Sequence, residues 1–157
     1  MPDVASSPYR FGDLLALARR SWIRQVRAAV EKAGFDGYRQ SDSIVLRLLA
    51  QRPLAIGQLG DGIGVTRQAA RKVADAMVDR GYAEFEADPD DARRTLVVLT
   101  KYGRSYARAV ARTQNALNAQ MSERVSRDDL KAADSVLRAV FPTAESRRRL
   151  DAVAPPQ

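Results

Sequence analysis

Apolar residues recur at spacings of three and four from Phe11 to Ala33, with Phe11, Leu15, Ala18, Trp22, Val26 and Ala29 or Val30 on one stripe. That pattern predicts a long helix stopped by Gly34. At 1.5 Å per residue it spans about 35 Å, longer than a small domain needs for its own packing. Ser41 or Ser43 can cap a second helix through Ala50, with Ile44, Val45, Leu48 and Leu49 inward, and Arg52-Pro53 ends it. LAIGQLGDGIGVTRQAARKVADAMVDRGY then carries two short helical patterns joined at Ile63-Gly64-Val65, a tight helix-turn-helix. Gly60 and Gly62 each cost about 1 kcal/mol inside a helix, so the first of the pair is expected to be strained or partly unwound.

The period then changes. Tyr82 to Ala87 alternates in twos and Thr95 to Leu99 is β-branched and apolar, so the seven residues between them read as the connecting loop of a hairpin. Pro89 with Asp88, Asp90 and Asp91 prohibits a continuous strand, and Arg93 and Arg94 fall at or just past the tip. Thr100 caps a further long helix to about Met121, striped by Tyr102, Tyr106, Ala109, Val110, Thr113, Leu117 and Met121. Ser126 with Asp129 forms a capping box, Asp replacing the usual Glu, and opens a helix to about Phe141. Pro142-Thr143 breaks it, and a short arginine-rich helix follows from roughly Ala144 to Ala152. Residues 1–8 read as a loose leader and 154–157 as a frayed tail. The expected fold class is mainly α with a small β-hairpin wing.

Composition narrows the chemistry. A chain of 157 residues supports one domain, or two small lobes sharing a core. It contains neither cysteine nor histidine, which removes disulfides, thiol redox switches, Ser-His and Cys-His nucleophile pairs and His or Cys metal sites. With no Walker A motif and no Gly-x-Gly-x-x-Gly after a strand, no catalytic constellation is visible; the chain reads as a non-enzyme without a cofactor. No apolar run approaches about 18 residues and no signal-peptide core opens the chain, so a soluble, intracellular protein is expected, cytoplasmic and nucleoid-associated, with no membrane partner.

A net charge of +7 favours a polyanion, with nucleic acid ahead of membrane. The charge is unevenly placed: residues 1–52 hold 9 basic and 5 acidic side chains, 53–104 hold 8 of each, and 105–157 hold 9 and 6. If the neutral middle binds double-stranded DNA, its charges must be sorted in space. They are sorted along Thr66 to Arg80, where Arg67, Gln68, Arg71 and Lys72 occupy the first two turns and Asp75 and Asp79 the last two. A helix entering a major groove by its N-terminus presents those first turns to base edges. Arg67 and Arg71 could contact guanine and Gln68 adenine or phosphate, while Thr66 and Lys72 suit the backbone. The plainer reading is a solvated amphipathic helix with scattered charge, and for the loop an ordinary set of local ion pairs each contributing about 0–1 kcal/mol. The order helix, turn, helix, hairpin favours a winged helix-turn-helix, in which a wing arginine enters the minor groove.

The sequence IGQLGDGIGVTRQAARKVADAMVDRGYAEFEADPDDARRTLVVLTKYG resembles the DNA-binding core of the MarR (multiple antibiotic resistance regulator) family. The likeness lies in Leu59, Gly64-Val65-Thr66, Ala69, Val73, Asp75, Met77, Arg80-Gly81, Asp88-Pro89, Asp91-x-Arg93 and Leu99-Thr100-x-x-Gly103. It implies a single MarR-like domain over 1–157, with a winged helix-turn-helix lobe at 41–103 and a helical dimerisation region at 9–34 and 104–152. It also implies base-facing roles for Arg67, Gln68 and Arg71, phosphate roles for Thr66 and Lys72, a wing-bracing role for Asp91 and a minor-groove role for Arg93. Ala92 stands where another basic residue is often found, and Arg94 is basic one step later. Members often respond to small phenolic or anionic ligands between the dimer region and the DNA-binding lobe, near where Trp22, Tyr38 and Arg39 fall; packing roles are the alternative for these residues. The function expected is a homodimeric, sequence-specific repressor of a pseudo-palindromic operator. The alternative is a less specific architectural DNA-binding protein.

Overall fold

The computed structural model describes residues 10–144. The expected leader, the tail and nearly all of the arginine-rich helix lie outside them. The chain divides into two compact units, one ending at Gln40 and the other beginning at Ser41.

The first unit is built on helix α1, Phe11–Lys32. Lys32 sits in its last turn, where a cation opposes the partial negative charge of the helix end. Gly34 follows at φ 90°, the left-handed conformation that closes helices and favours glycine. Val26 and Val30 are fully buried, while Phe11, Leu14 and Leu17 at the other end are exposed.

The second unit runs α2 (Asp42–Gln51), β1 (Leu54–Ala55), α3 (Ile56–Ile63), α4 (Arg67–Asp79), β2 (Ala83–Asp88), β3 (Asp91–Leu99), α5 (Lys101–Ser122) and α6 (Arg127–Ala139). Its core is made by Leu46, Leu49, Leu54, Leu59, Met77, Val97, Leu99, Tyr106 and Val110. Leu46 belongs to it although the sequence pattern placed Ile44 and Leu48 inward beside Val45 and Leu49; those two are half-buried. Ser41 is the residue before α2 but makes no side-chain cap. Ser43 instead accepts a hydrogen bond from Gln114 Nε2 of α5 at 2.8 Å.

Helix α3 is continuous, contrary to the strain expected of its glycines. Their propensity cost is offset by close approach. A Cβ at position 60 would lie 3.1 Å from the Val65 carbonyl oxygen and 3.3 Å from Ala70 Cβ, and one at position 62 would lie 2.7 Å from Leu48 Cδ1. The missing side chains let α3 pack directly on α4 and α2. Gly64 at φ 75° then ends α3, and the Val65 amide donates to the Gly60 carbonyl at 3.0 Å.

The sheet has three strands in the order β1-β3-β2, all antiparallel. Strand β1 is only two residues long, too short to show a period of two, and exists by pairing Leu54 with Val97 and Ala55 with Leu96. The seven-residue loop expected between the other strands is not formed either. The reversal is confined to Pro89 and Asp90, and β3 begins at Asp91. Ala87 pairs with Thr95 whereas Asp88 pairs with Asp91, so Ala92, Arg93 and Arg94 have no opposite residue on β2 and form a bulge.

Candidate nucleic-acid interface

Helix α4 opens with Thr66, whose hydroxyl accepts from the Ala69 amide at 3.2 Å and fixes the first turn. Beyond that cap, Arg67, Gln68, Arg71 and Lys72 are all exposed, while Ala70, Ala74 and Met77 are buried on the opposite side. Ala69 and Val73 flank this buried face and are half-buried. The outer surface of the first two turns is basic.

Arg71 has more local structure than its sequence position shows. Its Nε donates to Asp75 Oδ1 at 2.9 Å, and its guanidinium carbon stands 4.5 Å from the centroid of the Phe85 ring on β2. A planar cation over an aromatic face is attracted by the ring quadrupole. Helix and sheet are thereby joined next to the exposed surface.

In the wing, acids and arginines divide the work. Asp88 is buried; its Oδ1 accepts from the Asp90 amide at 3.0 Å and its Oδ2 lies 3.6 Å from Arg94 Nη1. Asp91 Oδ1 accepts from the Arg93 amide at 3.0 Å, which shapes the bulge and leaves the Arg93 side chain exposed. Both arginines are exposed, Arg94 paired with Asp88 and Arg93 with its side chain open to solvent. The sequence marks Asp88 as a turn residue and allows local acid–arginine pairs in the loop; the structure adds that Asp88 is buried and that its partner is Arg94.

The C-terminal end of α4 is anchored by a cluster the sequence reading did not contain. Arg80 makes two parallel bonds to Asp42 of α2, Nη1 to Oδ2 at 2.8 Å and Nη2 to Oδ1 at 2.9 Å, and Tyr106 of α5 donates its hydroxyl to Asp42 Oδ2 at 2.7 Å. Asp42 is 1% exposed. The bond to Asp42 holds the Arg80 guanidinium still more firmly protonated, and burial followed by Asp42 raises the Tyr106 hydroxyl. Tyr82 stacks on Tyr106 at 4.0 Å and on Tyr102 at 5.1 Å, and burial together with Tyr102 pushes its hydroxyl up to about 12. Three helices therefore meet on one carboxylate. No spacing in the chain predicts a pair 38 residues apart.

Gly103 completes the junction of β3 with α5. Thr100 caps α5 by accepting from the Gly103 amide at 2.9 Å and donates its hydroxyl to the Gly81 carbonyl at 2.7 Å. A Cβ at position 103 would collide with the Tyr82 carbonyl oxygen.

The residues expected near a ligand lie in the first unit. Tyr38 is buried and its carbonyl accepts from Arg27 Nε at 3.4 Å; Trp22 is half-buried and Arg39 exposed. An open groove of about 440 Å³ in the same unit is lined by a different set, Gly12, Leu15, Ala16, Arg19, Arg20, Ile23 and Gln40. Among the described residues, no cluster of acids is arranged to hold a metal ion, and no helix is long and apolar enough to cross a membrane.

A helix-turn-helix with a basic, exposed second helix, followed by a sheet whose outer hairpin bulges at two arginines, defines a winged helix-turn-helix protein. Residues 37–94 match the model of the MarR family, and the chain belongs to that family. An uncharacterised protein of Mycobacterium tuberculosis is 31% identical over 136 residues, covering 87% of this chain and 90% of its own. Two solved structures share the fold. The PcaV transcriptional regulator of Streptomyces coelicolor, in complex with its natural ligand, is 22% identical with a TM-score of 0.70, over 92% of this chain and 98% of its own. A mutant MarR from E. coli, complexed with operator DNA, is 19% identical with a TM-score of 0.70, over 83% and 93%. The family places this protein among DNA-binding transcriptional regulators rather than enzymes.

Proposed function

We propose that the protein is a homodimeric, sequence-specific repressor that reads a pseudo-palindromic operator with α4 in the major groove and Arg93 in the minor groove. The observation that carries this reading is the sorting of charge: a neutral middle segment with Arg67, Gln68, Arg71 and Lys72 exposed on one face of α4 and Arg93 exposed on the bulge. Thr66 and Lys72 take phosphate, Arg94 is held near the backbone by Asp88, and Asp91 braces the wing. Homodimerisation is supported by the exposed apolar side chains of α1 and of the segment from Met121 to Val140. Repression is the simplest outcome of this binding, since a dimer seated over a promoter would exclude polymerase. The reading includes release by a small phenolic or anionic effector, for which PcaV's natural ligand is the parallel.

Selection of bound fragments from the source genome by the full chain, followed by sequencing, tests the reading. A dimeric repressor returns a pseudo-palindrome with half-sites about one helical turn apart. Affinity nearly independent of sequence would instead favour an architectural DNA binder. On the selected duplex, Arg93→Ala should weaken binding and lower the salt slope by up to about one. Unchanged affinity would return Arg93 to an ordinary surface loop.

A further inference from the structure

Resting on the reading of α4 as the groove-reading helix, we propose that Asp75 and Phe85 are positioning residues that hold the Arg71 guanidinium as a fixed two-pronged donor to a guanine edge. A guanidinium offers two bidentate edges, one that includes Nε and one formed by the two terminal nitrogens. Asp75 takes Nε, at 2.9 Å. Among the described residues no hydrogen bond or ion pair engages Arg71 Nη1 or Nη2, and the side chain remains 54% exposed. The edge of the two terminal nitrogens, which can pair with O6 and N7 of guanine, is therefore left without a protein partner among the described residues.

Two contacts of different kinds fix it. Asp75, one turn further along the same face of α4, sets the direction in which the fork points, and the Phe85 ring 4.5 Å beneath sets its plane. A long exposed arginine otherwise samples many rotamers and loses that freedom on binding; one already oriented loses less, which raises the affinity for the matching base. The acid on the groove-facing side of a DNA reader then has a role that outweighs its repulsion of phosphate. Phe85 belongs to β2, so the same contact sets the wing strand's position against the reading helix.

The sign of one substitution separates this role from the alternatives. Binding is measured at fixed salt to the duplex selected by the full chain and to duplexes altered at each base pair in turn. Asp75→Ala should weaken binding to the selected duplex by roughly tenfold and flatten the preference at the same base pair where Arg71→Ala flattens it. Asp75→Asn, which can still accept from Nε, should retain most of the affinity and the preference. Phe85→Leu should lose about threefold. In an Arg71→Ala background, Asp75→Ala should cause no further loss. If Asp75→Ala tightens binding, the acid only repels phosphate or sequesters Arg71, and the proposal is overturned. If Arg71→Ala relaxes a base preference while Asp75→Ala leaves it sharp, the positioning role alone fails. If Arg71→Ala leaves every preference intact, Arg71 is no base reader and the proposal falls, while the reading of α4 then rests on Arg67 and Gln68; if no α4 variant changes any preference, that reading falls too. Both partners are near half exposed, so the alanine variants are expected to fold, and their thermal unfolding should match the parent's.

Discussion

From Asp42 to Leu99 most large apolar side chains are covered, Val65 excepted, whereas from Met121 to Val140 most are left open among the described residues. The first stretch contributes Leu46, Leu49, Leu54, Leu59, Met77 and Val97 to a closed core; in the second, Met121, Val125, Val136, Leu137 and Val140 are all exposed and no residue of α6 is buried. Both stretches are amphipathic in sequence, and only one has its apolar side covered. One is a finished structural unit, and the other leaves an apolar surface of the kind the proposed dimer would cover. The contrast also separates two kinds of cohesion: the reader is held by packing and a buried ion pair, and α6 by its own capping groups.

The largest effect is expected where the finished region depends on a buried charge. Asp42→Ala leaves Arg80 without its two-pronged partner and Tyr106 without its acceptor, in an environment where breaking a pair costs about 3–5 kcal/mol. Denaturant unfolding should show that loss in full. A loss below about 1 kcal/mol would mean that the cluster is dispensable and that apolar packing alone closes the reader. The paired replacement Asp42→Leu with Arg80→Met should recover much of the stability, because the cost lies mainly in stranding one charge.

A smaller effect on the fold, but a large one on binding, is expected in the unfinished region. Leu137→Asp puts a charge on the exposed apolar side of α6 and should leave the unfolding of the reader within about 0.5 kcal/mol of the parent. On the proposed homodimer, sedimentation should show a dimer for the parent and a monomer for the variant, and affinity for the two-half-site duplex should fall by about 100-fold or more as the second contact is lost. A variant that stays dimeric would assign the α6 surface to some other partner.

How much of this was legible in the sequence follows the range of the interactions. Helix α1, the helix-turn-helix and the Ser126 capping box depend on neighbours within about a turn, and their spacing displays them. Strand β1, the Asp42–Arg80 pair and the Phe85 seat under Arg71 depend on residues distant in the chain, and nothing local announces them. The hairpin falls between: Asp88-Pro89-Asp90 marks the reversal, but the pairing of Asp91 and the bulge at 92–94 are set by β2 across the turn. Gly60 and Gly62 misled for the same reason, since a residue's cost in a helix is local and its benefit here is contact with Ala70 and Leu48. The exposed groups assigned to DNA could be read as a basic-then-acidic helix, but the restraint of Arg71 could not.

The smallest expected effect bears on how α6 itself is held. Ser126 Oγ accepts from the Asp129 amide at 3.1 Å, and Asp129 Oδ2 accepts from both the Ser126 hydroxyl at 2.7 Å and its amide at 3.0 Å. The hydroxyl bond first, and then the amide, hold the Asp129 carboxyl below its usual 3.8. A carboxylate whose folded value is lowered stabilises fully above the unfolded value and loses that contribution as pH falls through the folded one. The helicity of α6 should therefore be flat from pH 7 to about 5 and decline only below about 3.8. The difference between the parent and Asp129→Ala, followed by amide chemical shifts along 127–139, isolates that carboxylate from the others that protonate in acid. Because α6 has no buried residue, on the proposed homodimer it should lose more helicity from Ser126→Ala in the Leu137→Asp background than in the parent. Equal losses in the two backgrounds would mean that the capping box alone sets the helix and that its apolar side is not held by a second copy.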